Sequence, residues 1–232
     1  MTGLTRMLAG PLMLAAMVLT GCSNSKTDIE PFELVKTYAQ SLRQPSTPPI
    51  SNEQIIAIVS QKALETTEPD TPLISIRIPE VEFYNVLTVI AENGPHSTWA
   101  PWGIVDRRSM VTKNGMITAT RALGHDLMSA NVDGVLALVQ AREEGAAQYA
   151  QRYLNGASQI LEAKSTCEVS RGYQKMVRVG GVERPALQMF SSCISANRQF
   201  VDLFLVDASG RILESRQWIG PRMGFATVQS LR

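Results

Sequence analysis

His125-Asp126 and the pair Glu80 and Glu82 are the residues whose types and spacing could do acid-base chemistry. An Asp beside a His can orient it as a general base, yet no Gly-x-Ser-x-Gly nucleophile accompanies this pair. The segment after "TRALG" reads instead as a loop or strand end. Glu80 and Glu82 share a period-two face if their segment is extended, and two carboxylates flanking a sugar can cleave a glycosidic bond. No other cleft residue can be named beside them, so a solvated strand face is the plainer reading. His96 and His125 are the only histidines, and neither has a partner at the His-x-x-x-His or Cys-x-x-Cys spacing of zinc sites. Isolated glycines such as Gly172 and Gly181 form no phosphate cradle. The sequence thus assigns no catalytic residue, no metal ligand and no cofactor.

Binding chemistry is better represented. "HSTWAPWGIVDRR" combines Trp99 and Trp102 with Arg107 and Arg108. Indole faces suit the C-H faces of sugars, while guanidinium groups reach hydroxyl or acidic substituents. These four residues are candidate glycan contacts. The competing reading places both tryptophans in the core or as plugs at a barrel end.

Each of the three cysteines has its own context. Arg6 is the only charge before Lys26, and "MLAGPLMLAAMVL" between them is too short for a bilayer core, which needs roughly 20 residues. A positive start, a short apolar run and small residues at its end read as a secretory signal peptide over residues 1–21. Leu19-Thr20-Gly21-Cys22 resembles the lipobox of bacterial lipoproteins, so Cys22 is the expected lipidation site and the first mature residue. Two or three acyl chains there make a lasting membrane attachment. Ser23 follows where inner-membrane lipoproteins often carry Asp, which favours the periplasmic side of the outer membrane. Cys167 and Cys193 remain, in "KSTCEVS" and "FSSCISA", and an oxidising compartment invites a disulfide across a hairpin. The other reading is a pair of buried free thiols acting as small hydrophobes.

Lys and Arg total 22 against 21 Asp and Glu, and the signal contributes only Arg6, so the mature chain is balanced. Nucleic-acid binding, which rests on excess cationic charge, is not expected.

The elements that must position these residues are mostly strands. Residues 22–29 form a polar tether. "PFELVKTYAQSLR" has apolar residues at helical spacing, and Ser51 precedes a second helical segment, "NEQIIAIVSQKALE". From Pro72 onward Asn93-Gly94, Asn114-Gly115, Asn155-Gly156, Gly180-Gly181 and Ser209-Gly210 divide strand-like segments, as hairpin turns with positive φ require. In "FVDLFLVDASGRILESRQW", Val201, Leu203 and Leu205 take one face and Phe204 and Val206 the other, so both faces should be covered. "VDGVLALVQAREEGAAQYAQRYLNG" reads as a short helix or loop and then a strand from about Gln148. The expected fold is mainly β: an antiparallel meander closed into a barrel-like or sandwich domain over residues 30–232, with one or two N-terminal helices.

Two stretches resemble the YjbF/GfcB family of polysaccharide-associated bacterial lipoproteins. In "NGMITATRALGHDLMSANVD" the matching residues are Asn114, Gly115, Ile117, Thr120, Leu123, Gly124, Asp126 and Leu127, with Ala122 where glycine is expected. In "NRQFVDLFLVDASGRILESRQWIGP" they are Asn197, Gly210, Ser215, Gln217, Trp218, Gly220 and Pro221. Trp218 and Ile219 are read as burying the end of the last long strand before Pro221 stops its pairing. The resemblance implies an outer-membrane lipoprotein with a role in capsule or exopolysaccharide production or export, with polysaccharide or export proteins as partners. It transfers no catalytic residue. Two other functions stay open: a periplasmic enzyme that trims the polymer through Glu80, Glu82 or His125-Asp126, and a structural envelope lipoprotein that binds protein partners.

Overall fold

The structure, a computed structural model, is described for residues 50–154 and 159–232. The expected helix in "PFELVKTYAQSLR", the lipobox around Cys22 and the Asn155-Gly156 turn lie outside the described residues. Helix α1 (Asn52–Thr66) begins where Ser51 predicts. The Ser51 hydroxyl accepts from the Gln54 N–H at 3.2 Å, and the Gln54 side chain accepts from the Ser51 N–H at 2.9 Å. This reciprocal pairing satisfies two donors that a helix start would otherwise leave open. Ala63 of α1 packs on Leu73 and Val86 of the sheet. Among the described residues no helix is long and apolar enough to cross a membrane.

Among the described residues twelve strands follow: β1 (Leu73–Ile78), β2 (Phe83–Asn93), β3 (His96–Pro101), β4 (Ser109–Lys113), β5 (Met116–Arg121), β6 (Leu127–Asn131), β7 (Gly145–Leu154), β8 (Ile160–Val179), β9 (Val182–Ser195), β10 (Arg198–Val206), β11 (Ile212–Gly220) and β12 (Gly224–Ser230). Helix α2 (Asp133–Ala141) lies between β6 and β7. The spatial order is β5-β4-β3-β2-β1-β12-β11-β10-β9-β8-β7-β6, with every neighbouring pair antiparallel. The edge strands β5 and β6 lie against each other, so the meander forms a nearly closed barrel, as expected. Bulges at Val89/Ala91, Val111/Thr112 and Trp218/Gly220 supply local bending.

Side chains stitch the seam where a backbone ladder is missing. Thr120 Oγ1 accepts from the Leu127 N–H at 3.0 Å and donates to Asp126 at 2.9 Å. The Arg121 guanidinium donates to the carbonyls of Leu127 and Met128 across the gap. These contacts blunt two edges that would otherwise offer unpaired N–H and C=O groups.

Two large hydrophobic clusters fill the fold. One joins β1 to β5 with β11 and β12 through residues such as Ile76, Leu87, Trp99 and Ile219. The other joins α2 to β7–β10 through Val135, Val139, Met189 and Phe204. Between them Gln217 of β11 reaches across to β5, accepting from the Ile117 N–H at 2.8 Å and donating to the Gly115 carbonyl at 3.0 Å.

Several expectations need correction. β7 starts at Gly145 rather than near Gln148, because α2 ends at Ala141 and Arg142 takes a left-handed φ of 56°. β11 stops at Gly220, just before Pro221, as expected, but it is not the last strand: after a short turn the chain returns as β12, which pairs with both β11 and β1. Glu80 lies in a 3-10 turn and Glu82 has a left-handed φ of 49°, so they share no period-two face. Of the outer residues of β10, Leu203 and Leu205 are covered but Val201 remains 39% exposed. The cover is the long β8–β9 hairpin, which bends at a bulge between Arg171 and Gln174. Its tip lays Val177, Val179 and Ala186 on Leu205 and Leu213, and the Arg178 carbonyl accepts from Gln229 of β12.

Candidate functional site: a polar cleft at one mouth of the barrel

The Asn114-Gly115 turn, the C-terminal end of α2 and the turn between β10 and β11 meet at one mouth of the barrel. Asn114 and Gly115 both have positive φ, 48° and 92°, the primed turn that the twist of adjoining strands requires. At the β10–β11 turn the Asp207 carboxylate accepts from the N–H groups of Ser209 and Arg211 at 2.8 and 3.0 Å. Gly210 has no room for a side chain there, since a Cβ would stand 2.7 Å from the Gln140 carbonyl oxygen of α2.

These elements enclose a cleft of about 370 Å³. Its rim carries the exposed residues Asn114, Ser209 and Arg211, while Thr112, Ser215 and Ser230 are buried in its lining. Trp99, only 8% exposed, contributes to the wall, and its indole N–H donates to Thr112 Oγ1 at 2.8 Å. Ser215 Oγ accepts from Gln217 at 2.8 Å. Both hydroxyls accept from the protein and retain a proton to donate, which suits a ligand rich in hydroxyl oxygens. Arg211 is held by Ser230 Oγ at 2.7 Å and the Arg232 carbonyl at 2.8 Å. One aromatic wall with convergent hydroxyl, amide and guanidinium groups can orient a polar ring compound.

The other candidate residues stand elsewhere. The Trp102 indole donates to Thr67 at 2.9 Å and packs against the cluster of Ala63, Leu73 and Val86 under α1. Arg107 is exposed on the β3–β4 loop, at the far end of β4 from the cleft. Arg108 is bound to Asp106 at 2.6 Å and lies 4.7 Å over the Phe83 ring. Its hydrogen bond holds the Asp106 carboxyl below its ordinary value. Of the four candidate glycan contacts, Trp99 alone lines the cleft. Cys167 and Cys193 face each other in the β8–β9 register and are joined by a disulfide. Asp126 uses its oxygens on Thr120, the Ala122 N–H and the Leu123 N–H, so it closes a turn. His125 instead meets Arg222 at 3.3 Å. Among the described residues no group of three His, Cys, Asp or Glu could hold a metal.

Sequence reasoning missed Thr112, Ser215, Ser230 and Arg211. Hydroxyl residues at buried positions of otherwise apolar strands are the signal that could have found them. It also missed Asp202, which is 1% exposed beside Tyr149, Tyr153 and Arg216. Its carboxylate accepts from the Trp218 N–H at 2.6 Å, where the β10–β11 ladder has ended at Leu203 and Arg216. Burial pushes its pKa up to about 8, against the opposing effects of the Trp218 N–H and Arg216.

Comparison with known proteins places the chain in a recognisable group. The model of the YjbF family, described as "Group 4 capsule polysaccharide lipoprotein gfcB, YjbF", matches residues 54–231, most of the chain. The crystal structure of the hypothetical lipoprotein YmcC from Escherichia coli (K12) has a similar fold. It aligns with a TM-score of 0.64 and 16% identity over 86% of this chain and 95% of that one. No curated protein matches the chain.

Proposed function

Because this chain belongs to the YjbF family of group 4 capsule polysaccharide lipoproteins, we propose that it is an accessory protein of capsule or exopolysaccharide production or export. It is lipidated on Cys22 after removal of residues 1–21, and residues 22–29 tether the β-rich domain to the periplasmic face of the outer membrane. The domain holds a segment of the polysaccharide, with an export component as its further partner. The cleft carries the glycan part of this reading: it puts the Trp99 indole beside the donor-competent hydroxyls of Thr112 and Ser215. Binding is favoured over polymer cleavage because Asp126 is spent on its turn and Glu80 and Glu82 share no face.

Deletion of the gene should lower cell-surface and released polysaccharide, with restoration by the wild type but not by Cys22→Ala. Asn114→Gly tests the cleft itself, since glycine accepts the positive φ of this turn while removing the amide from the rim. Binding of the purified polymer should weaken in Asn114→Gly with the unfolding midpoint little changed. Unaltered binding would remove the cleft from the proposal, and unaltered polysaccharide in the deletion strain would remove the function.

A further inference from the structure

At the mouth opposite the polar cleft, a cavity of about 630 Å³ lies between the β5–β6 turn, the adjoining ends of β7 and β8, and the β11–β12 turn. That volume falls in the range of small-molecule sites, roughly 300–1,000 Å³. Met128, Leu154, Leu161 and Pro221 give it apolar walls. Leu154 and Leu161 are 49% and 53% exposed. Exposed aliphatic side chains lining a cavity suit an apolar ligand group.

The polar groups around it are few and specific. Arg222 and His125, both exposed, meet at 3.3 Å on the rim. Among the described residues Arg222 makes no ion pair. Asp126 also lines the cavity, but both its oxygens are engaged by the β5–β6 turn. Tyr153 contributes to the lining as well, and its hydroxyl is buried beside Asp202.

We propose that this cavity binds an anionic amphiphile. Its hydrocarbon chain lies on Met128, Leu154, Leu161 and Pro221, and its phosphate or carboxylate head is held by Arg222 beside His125. Arg222 is suited to the head because a guanidinium offers paired N–H donors to two oxygens of an oxyanion.

Calorimetric titration of the mature chain carrying Cys22→Ser, in detergent-free buffer, tests this with dodecyl phosphate below its micelle concentration. Dodecyltrimethylammonium serves as the same tail with the opposite charge. Dodecyl phosphate should bind saturably at one site, and the ammonium compound about tenfold more weakly or less. Arg222→Gln should lower affinity for the phosphate about tenfold and leave the two heads nearly equal. Leu161→Asp should weaken both ligands. Absence of saturable binding, equal affinity for the two heads in the unsubstituted chain, or binding untouched by Leu161→Asp would overturn the proposal. These measurements involve neither the polar cleft nor any sugar, so their outcome is separate from that of the polysaccharide reading.

Discussion

Ala122 shows how one side chain can carry a legible cost. Its φ of 60° lies in the left-handed region, where a Cβ meets the following carbonyl. The resemblance marks this position as one where glycine is expected, and the turn explains why. Ala122→Gly keeps the N–H that donates to Asp126 at 2.8 Å and should raise stability by about 0.5–1 kcal/mol in urea unfolding. Asp202 carries a cost that depends on pH. Its folded pKa of about 8 lies above the ordinary 3.8, so the folded state binds the proton more tightly. The stability this supplies is complete below the unfolded value and is lost as pH rises toward about 8. Between about pH 5 and about pH 8 the loss amounts to roughly 3 kcal/mol. Asp202→Asn retains an acceptor for the Trp218 N–H and should flatten this dependence in denaturant melts at the two pH values. An equal slope in both proteins would show that Asp202 is ionised in the fold.

The hairpins depend on local chemistry that reaches beyond each turn. Gly115 has a φ of 92°, and a Cβ there would stand 3.0 Å from the Ile212 Cβ. Gly115→Val should therefore lose about 2–3 kcal/mol, through both strain and overpacking. Unchanged unfolding would sink the turn assignment. Gln217→Ala removes the strut between β11 and β5 and strands the Ile117 N–H and the Gly115 carbonyl. The expected cost is roughly 3 kcal/mol, since an unmade buried hydrogen bond loses more than a made one contributes. The disulfide acts on the unfolded chain instead. Cys167 and Cys193 are separated by 26 residues, and their joint replacement by Ala should cost roughly 3 to 4 kcal/mol in the chain-entropy account. The difference should disappear when both proteins are unfolded under reducing conditions.

For the whole molecule, the two mouths of the barrel have opposite chemical character. The mouth at Asn114 presents hydroxyl, amide and guanidinium groups around Trp99. The mouth at Pro221 presents aliphatic side chains with Arg222 and His125 at their rim. Strands that cross the sheet once and turn back distribute sequence motifs to the two ends in alternation. Asn114-Gly115 and Ser209-Gly210 therefore meet at one mouth although nearly a hundred positions part them. Gly124 and Pro221 likewise meet at the other. The two motif stretches that carried the family resemblance are thus one assembly, joined by Gln217 and closed at the seam by Thr120 and Asp126.

Local chemistry made much of this legible. Residues that tolerate positive φ announced the hairpins, Ser51 announced the start of α1, and two cysteines in facing strands announced the disulfide. Each of these depends on a residue and its near neighbours along the chain. Whether Trp99 and Trp102 would act together was not legible in the same way. The ladder runs on past Pro101 through the Trp102 N–H to the Val86 carbonyl, and the odd spacing of the two tryptophans sends one indole to the barrel mouth and the other beneath α1. Nor could alternation in β10 reveal that the β8–β9 hairpin would fold over Leu205, or that Asp202 would face an interior gap where strand pairing ends. Those outcomes depend on how strands far apart in sequence curve and close, because burial and hydrogen bonding between them exist only once the barrel has formed.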